Sequence, residues 1–174
     1  MGVILFEGMD MTGKSTIAKE YGRKHSIDYF KNPNEHFQVA KGETRQVTKY
    51  AGVFFAEFIK QVKINAIIDR HYPSEWVYSQ VLKREHDEEI LKYIDICFEE
   101  ANVKIIICHS SLVHVSYKAE QHGLIDINSM MKINSFYKSF AHWTNCDTLL
   151  LDTSAQDLET QITTIEAFIN NGYK

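Results

Sequence analysis

Proline is scarce in this sequence: Pro33 and Pro73 are the only two. There is also no low-complexity tract, internal repeat or Ser/Gly-rich linker. Nothing marks a domain boundary, so one domain over residues 1–174 is expected. Cysteine is nearly as rare. Cys97, Cys108 and Cys146 are an odd number without C-x-x-C spacing and suggest neither a disulfide framework nor a zinc site. They read as buried, reduced thiols. The eight histidines contain no H-x3-H pair, which also speaks against zinc. Positive charge is not in excess: 19 Lys and Arg against 23 Asp and Glu leave a net charge of −4. A stable nucleic-acid partner, which needs a basic footprint, is therefore not expected. No apolar run approaches the roughly 18 residues of a membrane span. No basic segment precedes the first strand-like run at residue 3, so neither a signal peptide nor a membrane partner is expected, and the cytoplasm is the expected compartment.

What is present suffices for a globular core: 174 residues, 44% of them hydrophobic and 24% charged. Strand-like runs alternate with helical periodicity. Strands are expected at Val3–Phe6, Ile27–Phe30, Asn65–Asp69, Val103–Cys108 and Thr148–Asp152. Helical stretches are expected at Ile17–Lys24 and from about Thr44 to Lys63. In the second, Val47, Tyr50, Ala51, Phe54, Phe55, Phe58, Ile59 and Val62 recur at i, i+3, i+4 and i+7 spacing. Ser74 reads as the N-cap of a helix through Val81, and Asp87 as the start of one reaching about Ala101. Further helices are expected around 111–121, over 127–143 and from about Gln156 to Asn170. Five strands alternating with helices predict an α/β fold: a five-stranded parallel sheet covered on both faces. Ligands of such sheets lie at the carboxyl ends of the strands. Here those ends are 8–16, 31–35, 69–74, 109–111 and 152–155.

One of those ends carries a specific motif. Gly8-x4-Gly13-Lys14-Ser15 follows an apolar run and opens a helical one, the context in which G-x-x-x-x-G-K-[ST] binds phosphates. Glycine tolerates positive φ and lets the backbone come close, so successive N–H groups can turn toward phosphate oxygens. The helix N-terminus adds the positive end of its dipole. Lys14 supplies a mobile cation for the β- and γ-phosphates, and the Ser15 hydroxyl can ligate Mg²⁺. ATP and Mg²⁺ are the expected cofactors. The guanine-reading N-K-x-D is absent, which disfavours a GTPase. Asp69-Arg70 closes the third strand, where a carboxylate can hold Mg²⁺ and an arginine can bridge donor and acceptor phosphates. The lesser alternative for Asp69 is a helix cap or a structural ion pair.

The sequence resembles the thymidylate kinases, within the nucleoside monophosphate kinases. Phe6-Glu7-Gly8-Met9-Asp10-Met11-Thr12-Gly13-Lys14-Ser15-Thr16 is similar to that family's F-E-G-x-D-x-x-G-K-[ST]-T loop. Asp69-Arg70-His71-Tyr72-Pro73-Ser74-Glu75-Trp76-Val77-Tyr78 resembles its D-R-[YH]-x-x-S-x-x-A-Y signature. Weaker matches follow. Phe30-Lys31-Asn32-Pro33 stands for T-R-E-P. Lys132-Ile133-Asn134 with Tyr137, Phe140 and Ala141 follows the spacing of R-V-R-x-x-Y-x-x-L-A, and Leu151-Asp152-Thr153-Ser154 sits at D-A-S.

The resemblance implies transfer of the ATP γ-phosphoryl group to a deoxynucleoside monophosphate, with a pyrimidine expected. Catalysis would fall to Lys14, Asp69, Arg70 and a lid lysine, Lys118. ATP would be held by Met11, Thr12, Gly13, Lys14, Ser15 and Thr16, with Lys132 and Thr153, and Mg²⁺ by Ser15 and Asp69. The acceptor would meet Asp10, Lys31, Arg45, Phe54, Phe58, Arg70 and Tyr78. Asp10 would contact the sugar 3′-hydroxyl, though it also suits an ordinary turn. Phe54 would stack on the base, though its spacing is equally that of a core residue. A homodimer is implied, with the 44–63 helix and the one starting at Ser74 near its interface. A deoxynucleoside kinase, with Glu7 a conceivable base, and a nucleotide-binding regulatory protein without turnover are the alternatives.

Two departures from the family bear on specificity and rate. Phe58 replaces an arginine and Ser79 a glutamine that read the base, so the base need not be thymine. The lid, about 111–126, reads Lys118-Ala119-Glu120-Gln121-His122-Gly123 where the family is arginine-rich. A lysine lacks the bidentate fork of arginine.

Overall fold

The computed structural model describes residues 2–31, 44–111, 127–154 and 156–171. In chain order the elements are β1 (Val3–Gly8), α1 (Lys14–His25), β2 (Asp28–Lys31), α2 (Thr44–Gln61), β3 (Ala66–Asp69) and α3 (Tyr72–Leu82). They continue with α4 (Glu88–Glu100), β4 (Lys104–His109), α5 (Ile127–Trp143), β5 (Thr148–Asp152) and α6 (Leu158–Asn171). The five strands form one parallel sheet in the order β2-β3-β1-β4-β5. β1 is central and every one of its residues is buried. Its neighbours β3 and β4 lie on opposite sides, so the chain reverses its direction of winding there and a crevice opens beyond the carboxyl end of β1.

Side-chain alternation along the strands builds a core on each face. Leu5, Ile68, Ile105 and Ile107 point to one side. There they meet Ala56 and Ile59 of α2, Tyr72 and Val77 of α3, Ile94 and Phe98 of α4, and Ile133 and Phe140 of α5. Ile4, Phe6, Ile67, Ile106 and Cys108 point to the other side, against Ile17, Ala18 and Tyr21 of α1 and Ile162, Ile165 and Phe168 of α6. Each such aliphatic side chain contributes about 1.5–3 kcal/mol by leaving water. The three-layer α/β arrangement expected from the sequence is the one observed.

A buried carboxylate ties three elements of the larger core together. Asp95 on α4 accepts hydrogen bonds from the Tyr72 hydroxyl (2.5 Å), from Thr144, and from the backbone and side-chain nitrogens of Asn145 (2.9 and 3.1 Å). The three cysteines are free and buried. No helix among the described residues is long and apolar enough to cross a membrane.

Several boundaries differ from expectation. β2 and β4 start and end one residue later than read, and β1 continues through Glu7 to Gly8. Ser74 is not an N-cap. The helix begins at Tyr72 with His71 at the cap position, because Pro73 has no N–H to satisfy and fits the first turn. Asp87 does cap α4, accepting from the Ile90 N–H at 3.2 Å. The helix expected around 111–121, and the lid with Lys118, lie outside the described residues.

Candidate active site

The phosphate loop starts where β1 meets a steric limit. Gly8 has φ +134°, and a Cβ there would sit 2.1 Å from the Cys108 carbonyl oxygen of β4. Only glycine fits without parting β1 from β4. Gly13 has φ +82° and precedes α1 directly, its carbonyl accepting from Thr16 and Ile17. Between them Met11 holds the left-handed region (φ 67°), a conformation that costs a side-chain-bearing residue on the order of 1 kcal/mol. The Thr12 hydroxyl braces the turn by donating to the Met9 carbonyl at 2.9 Å. α1 has no side-chain cap and no acid in its first turn. Its N-terminal N–H groups and dipole are therefore available to an anion.

Lys14 turns from this loop onto the end of β3. Its ammonium lies 2.6 Å from Asp69 Oδ1 and 3.5 Å from Ser15 Oγ. Ser15 and Tyr29 both donate to Asp69 Oδ2, at 2.5 and 2.6 Å. Parallel pairing sets this up: Phe6 and Lys31 both stand opposite Asp69, so β2 and β3 end together while β1 runs two residues further into the phosphate loop. Burial alone would raise the Asp69 pKa. The Lys14 charge, and hydrogen bonds from Lys14, Ser15 and Tyr29, more than offset this and hold the carboxyl below its usual value. Ser15 and Asp69 offer hard oxygen donors side by side, which suits Mg²⁺. Among the described residues no group of three or more His, Cys, Asp or Glu is placed to hold a metal. Any Mg²⁺ here would depend on phosphate oxygens and water for its remaining ligands.

One residue further, Arg70 adopts φ 73°. Nη2 donates to Asp10 Oδ1 at 2.5 Å, and Nη1 donates to the hydroxyls of Ser74 (3.0 Å) and Tyr137 (3.1 Å). The Tyr78 ring lies beneath the guanidinium, 5.9 Å away. Behind these, Glu7 is fully buried. Its carboxylate accepts from the His71 backbone N–H (2.6 Å), Ser74 (2.7 Å) and Tyr137 (3.2 Å). Burial pushes the Glu7 pKa up, against the opposing pull of the Arg70 charge. His71 itself is enclosed by the rings of Phe55, Tyr72 and Phe98, and burial lowers its pKa to about 4.

The structure thus brings Asp10, Lys14, Ser15, Asp69, Arg70 and Tyr78 to one sheet edge. Met11, Thr12, Gly13 and Thr16 accompany Lys14 in the loop and the first turn of α1. Phe54 is not a core residue: it is 74% exposed, and Phe58 four residues on is 39% exposed. Lys31 is exposed at the end of β2. Lys132 is exposed on α5, and Thr153 donates through both its backbone N–H and its hydroxyl to the His109 carbonyl. Arg45 starts within α2, but its side chain lies outside the described residues, as does Lys118. Sequence reading missed Tyr29, for which no motif speaks, and the roles of Ser74 and Tyr137. A charged Glu7 inside an otherwise apolar strand was the available signal for that second cluster.

No protein-family model and no curated protein matches this sequence. Solved structures do. The YorR protein from Bacillus subtilis, in complex with phosphorylated GDP, superposes with a TM-score of 0.73 at 18% identity, over 99% of each chain. A deoxyadenosine kinase from M. mycoides, with products dCMP and dCDP bound, gives 0.63 at 22% identity, over 97% of this chain and 99% of that one. Thymidylate kinase from Candida albicans gives 0.66 at 18% identity, over 98% and 92%. The shared feature is the fold: an all-parallel sheet of the P-loop nucleotide-kinase type.

Proposed function

We propose that this chain is an ATP- and Mg²⁺-dependent kinase that transfers the γ-phosphoryl group to a deoxynucleoside monophosphate, with a pyrimidine as the base. The observation that carries this reading is the adjacency of Asp69 and Arg70. One holds the phosphate-loop Lys14, the other ends 2.5 Å from Asp10, so donor and acceptor machinery sit on consecutive residues. Transfer between two polyanions needs positioning and positive charge more than it needs a base. Lys14 and the N–H groups around Gly13 would take the β- and γ-phosphates, and Arg70 the acceptor phosphate. Bound Mg²⁺ would neutralise charge between the transferring phosphates, held by Ser15 and Asp69.

A phosphate acceptor is favoured over a hydroxyl because the three carboxylates at the site are all engaged. Glu7 accepts three hydrogen bonds, Asp69 is held by Lys14, Ser15 and Tyr29, and Asp10 is held by Arg70. A nucleoside kinase would need one of them as a general base. The exposed Phe54 supports stacking on the base, and the choice of a pyrimidine rests on the sequence resemblance. Three free, buried thiols are in keeping with the cytoplasm.

The test is ADP release from ATP and Mg²⁺ with each nucleoside, deoxynucleoside and monophosphate offered separately. Stimulation by one or a few deoxynucleoside monophosphates is expected, with nucleosides silent. Stimulation by nucleosides alone would replace this reading with a deoxynucleoside kinase. Silence throughout, with ATP bound, would remove turnover altogether.

A further inference from the structure

Arg70 is held from both of its ends, and one residue accounts for much of the holding. Its own N–H bonds to the Phe6 carbonyl at 3.0 Å, and the next N–H, that of His71, donates to Glu7 Oε1 at 2.6 Å. Those two bonds fix the left-handed backbone at Arg70, which a side-chain-bearing residue keeps only when its surroundings over-determine it. At the far end, Nη1 has two hydrogens and two acceptors, Ser74 Oγ and Tyr137 OH. Each hydroxyl, while accepting from Arg70, donates a hydrogen bond to Glu7 Oε2, at 2.7 and 3.2 Å. Ser74 and Tyr137 lie 3.1 Å apart, so the two hydroxyls, Glu7 and Arg70 form one closed cluster. With a carboxylate at position 7 every donor of that cluster has an acceptor.

We propose that Glu7 is a positioning residue for Arg70. Acting through Ser74 and Tyr137 it immobilises Nη1, so that Nη2, which rests on Asp10, is presented to an incoming phosphate. A long side chain ordered before the ligand arrives spares the ligand that ordering. The kinetic consequence rests on the phosphoryl-transfer reading; the tether itself does not.

Glu7→Gln tests it with nearly the same shape. If the amide nitrogen faces His71, two donors oppose one another. If it faces the hydroxyls, it meets oxygens already bound to Arg70. The first readout is side-chain ¹⁵N NMR of the nucleotide-free protein. Wild type should show resolved, slowly rotating Nη signals for Arg70, assigned by their loss in Arg70→Lys. Glu7→Gln and Tyr137→Phe should broaden or merge them, and the second variant, losing one hydroxyl only, serves should the first not fold. Persistence of resolved signals in both variants overturns the tether. The second readout is acceptor kcat/KM. We expect a loss of about 100-fold for Glu7→Gln and about tenfold for Tyr137→Phe. On an Arg70→Ala background, Glu7→Gln should cost less than about twofold, since its effect runs through the missing guanidinium. An equal loss on both backgrounds overturns the positioning role. Absence of acceptor-stimulated turnover in wild type would count against the kinase reading alone, and the NMR signals would still decide the tether.

Discussion

Asp69→Asn separates the charge of the Lys14–Asp69 pair from its hydrogen bonds. The amide oxygen can face the Lys14 ammonium, and the amide NH2 can face Ser15 and Tyr29, whose hydroxyls can turn to accept. What is lost is the countercharge 2.6 Å from a buried ammonium. Removing one member of a buried pair costs about 3–5 kcal/mol, and the flexible lysine stem places this case near 3 kcal/mol. For a chain of this length that lowers Tm by about 6–12 °C. The sign with pH follows from the lowered Asp69 pKa. Its stabilisation is complete above the unfolded carboxyl value of 3.8 and disappears as pH falls through the still lower folded value. Urea unfolding should thus show a large gap between the two proteins at pH 7 that narrows below about pH 4. ATP with EDTA adds a second sign. In wild type the phosphates must draw Lys14 away from Asp69, whereas in the variant they meet an unpaired cation. The ATP-induced rise in Tm should be larger in Asp69→Asn. A variant within about 2 °C of wild type at pH 7, or one with a smaller ATP shift, would refute the reasoning.

Lys14→Ala should reduce phosphoryl transfer below about a tenth of wild type while circular dichroism shows a folded protein; a higher residual rate counts against the phosphate-loop mechanism. His71 is held at a pKa of about 4 against an ordinary 6.5, so the fold loses stability as pH falls between those values. The loss approaches about 3 kcal/mol near pH 4, of which about 2 kcal/mol falls between pH 7 and pH 5, and His71→Phe, which carries no titrating proton into the ring cage, should flatten it in urea titrations at those two pH values. An unchanged acid slope would exonerate His71. Phe58→Arg should move acceptor preference toward dTMP; identical relative kcat/KM values across bases would show that position 58 does not read the base.

The sheet was readable because β1, β3, β4 and β5 carry continuous apolar runs bounded by turn residues, and the β5 bounds agree at both ends. Strand ends slipped by one residue at β2 and β4, where a polar residue continues the ladder and local composition carries no stop. Ser74 misled for a related reason. A serine before a helical run reads as a cap, yet Pro73 lets the helix start earlier, and the hydroxyl is used instead by Glu7. The phosphate loop and Asp69-Arg70 were legible as local motifs. Tyr29 on Asp69 and Tyr137 on Glu7 were not, because each contact joins residues 40 and 130 positions apart and depends on the sheet order. Phe54 marks the limit of periodicity: its spacing fits a core position as well as an exposed one, and the fold leaves it exposed.

The most direct test of the central claim is ³¹P NMR of the protein with ATP, Mg²⁺ and each deoxynucleoside monophosphate. The account predicts that the γ-phosphate signal of ATP declines as a β-phosphate signal of the deoxynucleoside diphosphate grows in equal amount, in wild type and not in Lys14→Ala. Growth of inorganic phosphate alone, or an undiminished γ-phosphate with every acceptor, would contradict it.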